Sequence, residues 1–138
     1  MPSREVTASG RRVLIVDDSR DTAGLFKALL KIEGYEARTA YDGPEAIEAA
    51  KQDCPHVVLL DLMLPTMGGV AVARALRQVP ELSQCQIIAV SGCDGDRIAQ
   101  PSPFDLHLTK PVDPGTLLKL LAEMTASGSA AAASSNAC

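Results

Sequence analysis

Asp61 closes the apolar run His56-Val57-Val58-Leu59-Leu60, and the pair Asp17-Asp18 follows an earlier run of the same kind, Val13-Leu14-Ile15-Val16. Two apolar strands that deliver carboxylates where they stop place acids at the strand ends, where open parallel sheets keep their ligands and chemistry. Three carboxylates gathered there repel one another unless a hard cation sits among them. Mg²⁺, which favours a few carboxylates together with phosphate oxygens, answers that need. The pattern points to phosphate chemistry at Asp61, whose carboxylate could attack phosphorus. Ser91, after Gln86-Ile87-Ile88-Ala89-Val90, and Lys110, after Leu106-His107-Leu108, add a hydroxyl and an amine suited to holding phosphoryl oxygens. Taken singly, each residue has a plainer reading. Asp17-Asp18 could be a solvated turn or a helix cap, Asp61 a turn cap, Ser91 a small residue at a strand end and Lys110 a surface charge. The chemical reading rests on all of them meeting at one edge.

The elements that must bring them together are legible as a pattern. Arg12–Val16 reads as a buried strand. Ser19 can cap the helix that follows, whose apolar face is Leu25, Phe26, Leu29, Leu30 and Ile32 and which Gly34 stops. Glu36–Ala40 alternates as a less buried strand, and Asp42-Gly43-Pro44 opens a second helix. His56–Leu60 is the next buried strand, Val70–Val79 a helix ended by Pro80, Gln86–Val90 a further buried strand, and Leu106–Leu108 a short one. Asp113-Pro114 starts a last helix carrying Leu117, Leu118, Leu120 and Leu121. Strands alternating with helices predict an α/β domain: a doubly wound, five-stranded parallel sheet of flavodoxin-like order 2-1-3-4-5 with helices on both faces. Right-handed crossovers put every strand end on one edge, and this order sets Asp17 and Asp18 opposite Asp61.

Bulk properties narrow the rest. A chain of 138 residues suggests one domain, and 46% hydrophobic residues can fill its core. With two Phe, two Tyr and no Trp, that core must be aliphatic. A net charge of −4 with scattered Lys and Arg argues against a nucleic-acid surface. Cys54, Cys85, Cys93 and Cys138 form no CxxC pair, and reduced thiols are expected. The N-terminus has no secretion-type apolar stretch, and no run approaches the roughly 20 residues of a membrane span. The expectation is a cytoplasmic protein without membrane contact. A flexible N-terminus is expected over 1–10, the folded domain over 11–125, and a disordered Ala/Ser-rich tail over 126–138.

Val16-Asp17-Asp18, Asp61-Leu62-Met63-Leu64-Pro65 with Gly69, Val90-Ser91-Gly92 and Lys110-Pro111-Val112 together resemble the bacterial response-regulator receiver domain, from about Arg12 to Met124. The resemblance implies that Asp61 is the phosphoacceptor, loaded from a sensor histidine kinase or a histidine phosphotransfer protein. It makes Asp18 the direct Mg²⁺ ligand, Asp17 a ligand largely through water, and the Met63 carbonyl a further member of the metal shell. Lys110 and Ser91 would read the phosphoryl group, and the Lys110-Pro111 bond would be cis. Such a domain assists its own phosphorylation and dephosphorylation but is not a turnover enzyme. It acts as a monomer or a phosphorylation-dependent dimer, alone or as part of a larger protein. The family couples a swinging hydroxyl, here Ser91, to an inward-turning aromatic on the fifth strand. His107 stands at that switch position, where Tyr or Phe is common.

The chain departs from the family pattern between Ser91 and Lys110, where only 18 residues intervene, two Gly and two Pro among those from Gly92 to Pro103. A fourth helix there, about Asp94 to Gln100, is expected to be short or distorted. A degenerate receiver serving as a phosphorylation-independent protein-binding scaffold is the main alternative. A hydrolase of the haloacid-dehalogenase type would want a second Asp at position 63, where Met63 stands. A flavodoxin would need a phosphate-cradling loop in place of Asp17-Asp18.

Overall fold

The computed structural model describes residues 11–64, 67–82, 84–92 and 103–123. Its elements are β1 (Arg12–Val16), α1 (Arg20–Ile32), β2 (Glu36–Ala40), α2 (Gly43–Asp53), β3 (Val57–Asp61), α3 (Gly69–Arg77), a 3₁₀ turn (Pro80–Leu82), β4 (Gln86–Ser91) and β5 (Leu106–Thr109). A last helix occupies 114–123. The five strands form one parallel sheet in the order β2-β1-β3-β4-β5. That is the flavodoxin-like arrangement the alternation predicts.

Side-chain alternation along the strands splits the core into two layers. Leu14, Val16, Val58, Leu60 and Ile87 face α2 and α3, meeting Ala46, Ala49, Ala50, Val72 and Leu76. Val13, Ile15, Val57, Leu59, Ile88 and Val90 face the other side, meeting Phe26 and Leu30 of α1 and Leu117 and Leu121 of the last helix. Helices therefore cover both faces, which explains why the central strands read as continuous apolar runs.

Local signals set the ends of the elements. Ser19 caps α1 by accepting the Thr22 N–H, and Gly34, at φ 97°, lets the chain leave the helix. Asp42 caps α2 by accepting the Glu45 N–H, with Pro44 in the first turn. α3 ends at Arg77, two residues before the expected Val79, because the chain tightens into the 3₁₀ turn at Pro80. β3 is shifted by one residue from the expected His56–Leu60, so Asp61 belongs to the strand itself. Cys85 is free and buried, and burial pushes its thiol up to about 12. The predicted terminal segments 1–10 and 126–138 and the predicted fourth helix around 94–100 lie outside the described residues. Among the described residues, no helix is long and apolar enough to cross a membrane.

Candidate functional site

The strand order delivers the predicted residues to one edge. β1 and β3 are hydrogen-bonded neighbours, with Val16 level with Leu60. The next residue on each strand is then an acid, Asp17 on one and Asp61 on the other. Carboxylate oxygens of Asp17, Asp18 and Asp61 all lie within 4.8 Å of one another. Asp17 is 8% exposed and Asp61 2%, whereas Asp18 is exposed at the rim.

Each buried carboxylate is held on a defined partner. Asp17 Oδ1 accepts the Ser19 N–H at 2.9 Å, which turns its side chain over the start of α1. Asp61 Oδ1 accepts the Met63 N–H at 2.9 Å, and Asp61 Oδ2 accepts from Lys110 Nζ at 3.0 Å. Lys110 is anchored in turn: its backbone N–H donates to the Ser91 carbonyl at 2.7 Å, and its bond to Pro111 is cis, as the resemblance implies. Met63 keeps its side chain in solvent, 69% exposed, while its backbone stays tied to Asp61.

Among the described residues, the electrostatics are those of a crowded anionic site with Lys110 as its cation. Burial raises the Asp17 carboxyl above its usual value, and Asp61 and Asp18 raise it further, against the Ser19 N–H and Lys110, which lower it. Burial pulls the Lys110 ammonium down, but the hydrogen bond to Asp61 and the charges of Asp61, Asp17 and Asp18 outweigh it and leave the group raised. Among the described residues, one ammonium against three carboxylates leaves negative charge uncompensated. Oxygen donors this close, two of them buried, fit a hard divalent cation such as Mg²⁺.

Ser91 and His107 also meet. β4 and β5 pair Ala89 with His107 and Ser91 with Thr109, so Ser91 and His107 share a face as diagonal neighbours. Ser91 Oγ lies 3.2 Å from His107 Nε2. All the predicted site residues, Asp17, Asp18, Asp61, Met63, Ser91, His107 and Lys110, therefore gather at one edge.

Two further groups escaped sequence reasoning. The Arg20 guanidinium stacks over the Tyr41 ring, 4.1 Å from its centroid, at the same end of the sheet. A basic residue in the first turn of a helix runs against the helix dipole, and that mismatch was the available signal. At the opposite edge, Arg77 donates to the carbonyls of Cys85 and Pro103 and pairs with Asp105 at 2.7 Å. Asp105 also accepts the Ile87 N–H, so this cluster fixes the chain where it enters β5. Arg77 and Asp105 are 28 residues apart and carry no local signal.

Residues 13–122 match the model of a family described as the response regulator receiver domain. The chain is 38% identical over 117 residues to Response regulator PleD of Caulobacter vibrioides, covering 83% of this chain and 26% of that protein. It thus spans about a quarter of the length of that curated relative. Among solved structures, a CheY-like receiver domain from Methylobacillus flagellatus superposes with a TM-score of 0.75 at 32% identity, covering 83% of this chain and 98% of that one. The receiver domain of sensor histidine kinase PA1611 from Pseudomonas aeruginosa, solved with a magnesium ion coordinated in its active-site cleft, gives a TM-score of 0.74 at 26% identity. The match covers 82% of this chain and 95% of that one. A family match running nearly the length of the sheet, over the carboxylate edge and through the last described helix, means that the chain belongs to the response regulator receiver domain family.

Proposed function

We propose that this receiver domain takes a phosphoryl group on Asp61 from a phosphohistidine of a sensor histidine kinase or histidine phosphotransfer protein, and changes conformation in response. The observation that carries the reading is the meeting of three carboxylates within 4.8 Å with Lys110 3.0 Å from Asp61. An Asp61 carboxylate oxygen forms the new bond to phosphorus as the P–N bond of the donor breaks and the imidazole departs. The Met63 N–H and Lys110 Nζ hold the two oxygens of Asp61 in place for that approach. Lys110 then exchanges its carboxylate partner for an oxygen of the arriving phosphoryl group, and Ser91 donates a hydrogen bond to another.

Asp18, Asp17 and Asp61, with the Met63 carbonyl, would hold Mg²⁺, Asp17 largely through water. When bound, the ion neutralises charge on the transferring group. The magnesium in the Pseudomonas relative supports the assignment by likeness. Self-catalysed gain and loss of the phosphoryl group make the domain a signalling module rather than a turnover enzyme.

Labelling with acetyl phosphate and Mg²⁺ tests the proposal. Wild type should gain one acid-labile phosphoryl group and Asp61→Ala none. A wild type that resists both acetyl phosphate and phosphorylated kinase would leave the phosphorylation-independent scaffold as the better reading.

A further inference from the structure

The Ser91–His107 pair carries a requirement that an aromatic hydrocarbon at position 107 would not impose. Ser91 is buried, His107 half-buried, and the ring directs Nε2 at Oγ across 3.2 Å. A serine hydroxyl owns one proton and two lone pairs. A phosphoryl group on Asp61 presents only acceptor oxygens, so a Ser91 hydroxyl that bonds it must spend that proton on it. The contact with His107 then survives only if Nε2 carries a hydrogen and donates it to Oγ.

Resting on the assignment of Asp61 as phosphoacceptor, we propose that His107 is a positioning residue for Ser91. Its Nε2–H donates to Ser91 Oγ, and Oγ–H donates to the phosphoryl oxygen, giving a chain N–H···O–H···O–P. Donation into Oγ polarises the hydroxyl and makes it a better donor. It also fixes the rotamer, because Ser91 swinging away from His107 would lose the bond. The two side chains therefore move as a pair, rather than one filling a space the other has left. A neutral imidazole can present Nε2 as donor or as acceptor, and a phosphoryl group selects the donor form.

Beryllofluoride with Mg²⁺, a phosphoryl mimic for carboxylates, provides the test. In ¹⁵N-labelled wild type saturated with it, Nε2 of His107 should carry the hydrogen, with Nδ1 as the unprotonated nitrogen. His107→Phe should weaken beryllofluoride binding roughly three- to tenfold, the scale of one hydrogen bond. His107→Gln, which keeps an N–H donor, should recover most of that loss. In a Ser91→Ala background, His107→Phe should change the affinity by less than about twofold, because the partner is already gone.

An unprotonated Nε2 in the saturated protein would overturn the proposal. So would a His107→Phe variant that binds as wild type does, or a His107→Phe effect of equal size with and without Ser91. The NMR measurement needs no variant, so poor folding of a mutant does not rescue the idea. A wild type that never binds beryllofluoride would refute the phosphoacceptor reading itself. Normal wild-type binding with inert His107 variants would refute only the positioning role.

Discussion

Replacing Asp17 by Asn should stabilise the metal-free protein. The Asp17 carboxylate lies within 4.8 Å of those of Asp18 and Asp61. At an effective dielectric of ~20, two like charges at that distance repel by about 3.5 kcal/mol. Asp18 is exposed and screened, and Lys110 offsets part of the repulsion, so a net gain of about 1–2 kcal/mol is expected. The amide costs less to bury than the carboxylate, and its oxygen still accepts the Ser19 N–H, so the turn into α1 survives. With a urea slope of about 1–1.5 kcal/mol per molar, the midpoint should rise by about 1 M in EDTA at neutral pH.

The pH dependence has a fixed sign. Folding raises the Asp17 carboxyl above 3.8, chiefly by burial, so the folded state holds its proton more tightly than the unfolded chain does. Ionised Asp17 therefore subtracts stability. The penalty is full above the folded value and fades as pH falls through it toward 3.8. The advantage of Asp17→Asn should shrink on acidification. Added Mg²⁺ should narrow or reverse it, because wild type gains more from the ion. A variant that melts at or below the wild-type midpoint in EDTA, or whose advantage grows at lower pH, would refute the crowding argument.

Gly69→Ala should cost about 1–3 kcal/mol in a urea melt and slow acetyl phosphate labelling. A Cβ there would sit 2.7 Å from Leu62 Cα and 2.8 Å from the Asp61 carbonyl, pressing on the backbone that carries the site. Gly24→Ala should do the opposite, adding about 0.5–1 kcal/mol by the same measurement, because an exposed mid-helix glycine gains a Cβ with nothing near it. Arg77→Ala leaves the Cys85 and Pro103 carbonyls and Asp105 without their cation. It should cost about 2–3 kcal/mol and speed hydrogen exchange at the Ile87 amide, which Asp105 accepts.

The sheet and most of the site were legible because both are written in short-range patterns. Continuous apolar runs ending in Asp17 and Asp61 announce buried parallel strands, and the strand order follows from the alternation of elements. Ser19, Asp42 and Pro44 mark helix starts through local hydrogen bonding and fixed φ. Boundaries slipped where a residue serves two elements. Asp61 is both the last rung of β3 and the head of the site, and Gly69 begins α3 while touching Leu62. His107 could be placed by its spacing from Lys110, but its bond to Ser91 depends on the β4–β5 register, which no single stretch of sequence encodes. The Arg77–Asp105 brace is invisible for the same reason.

The stacked pair at the rim has an optical consequence. With no Trp, the chain owes its near-ultraviolet emission to Tyr35 and Tyr41 alone. Tyr35 lies in the apolar layer beside α1, whereas Tyr41 sits under Arg20 where β2 runs out. Both rings thus border the same apolar layer, and Tyr41 also carries the Arg20 guanidinium over its face. Removing Tyr35 would leave a single-tyrosine protein whose brightness follows the guanidinium lying on the remaining ring.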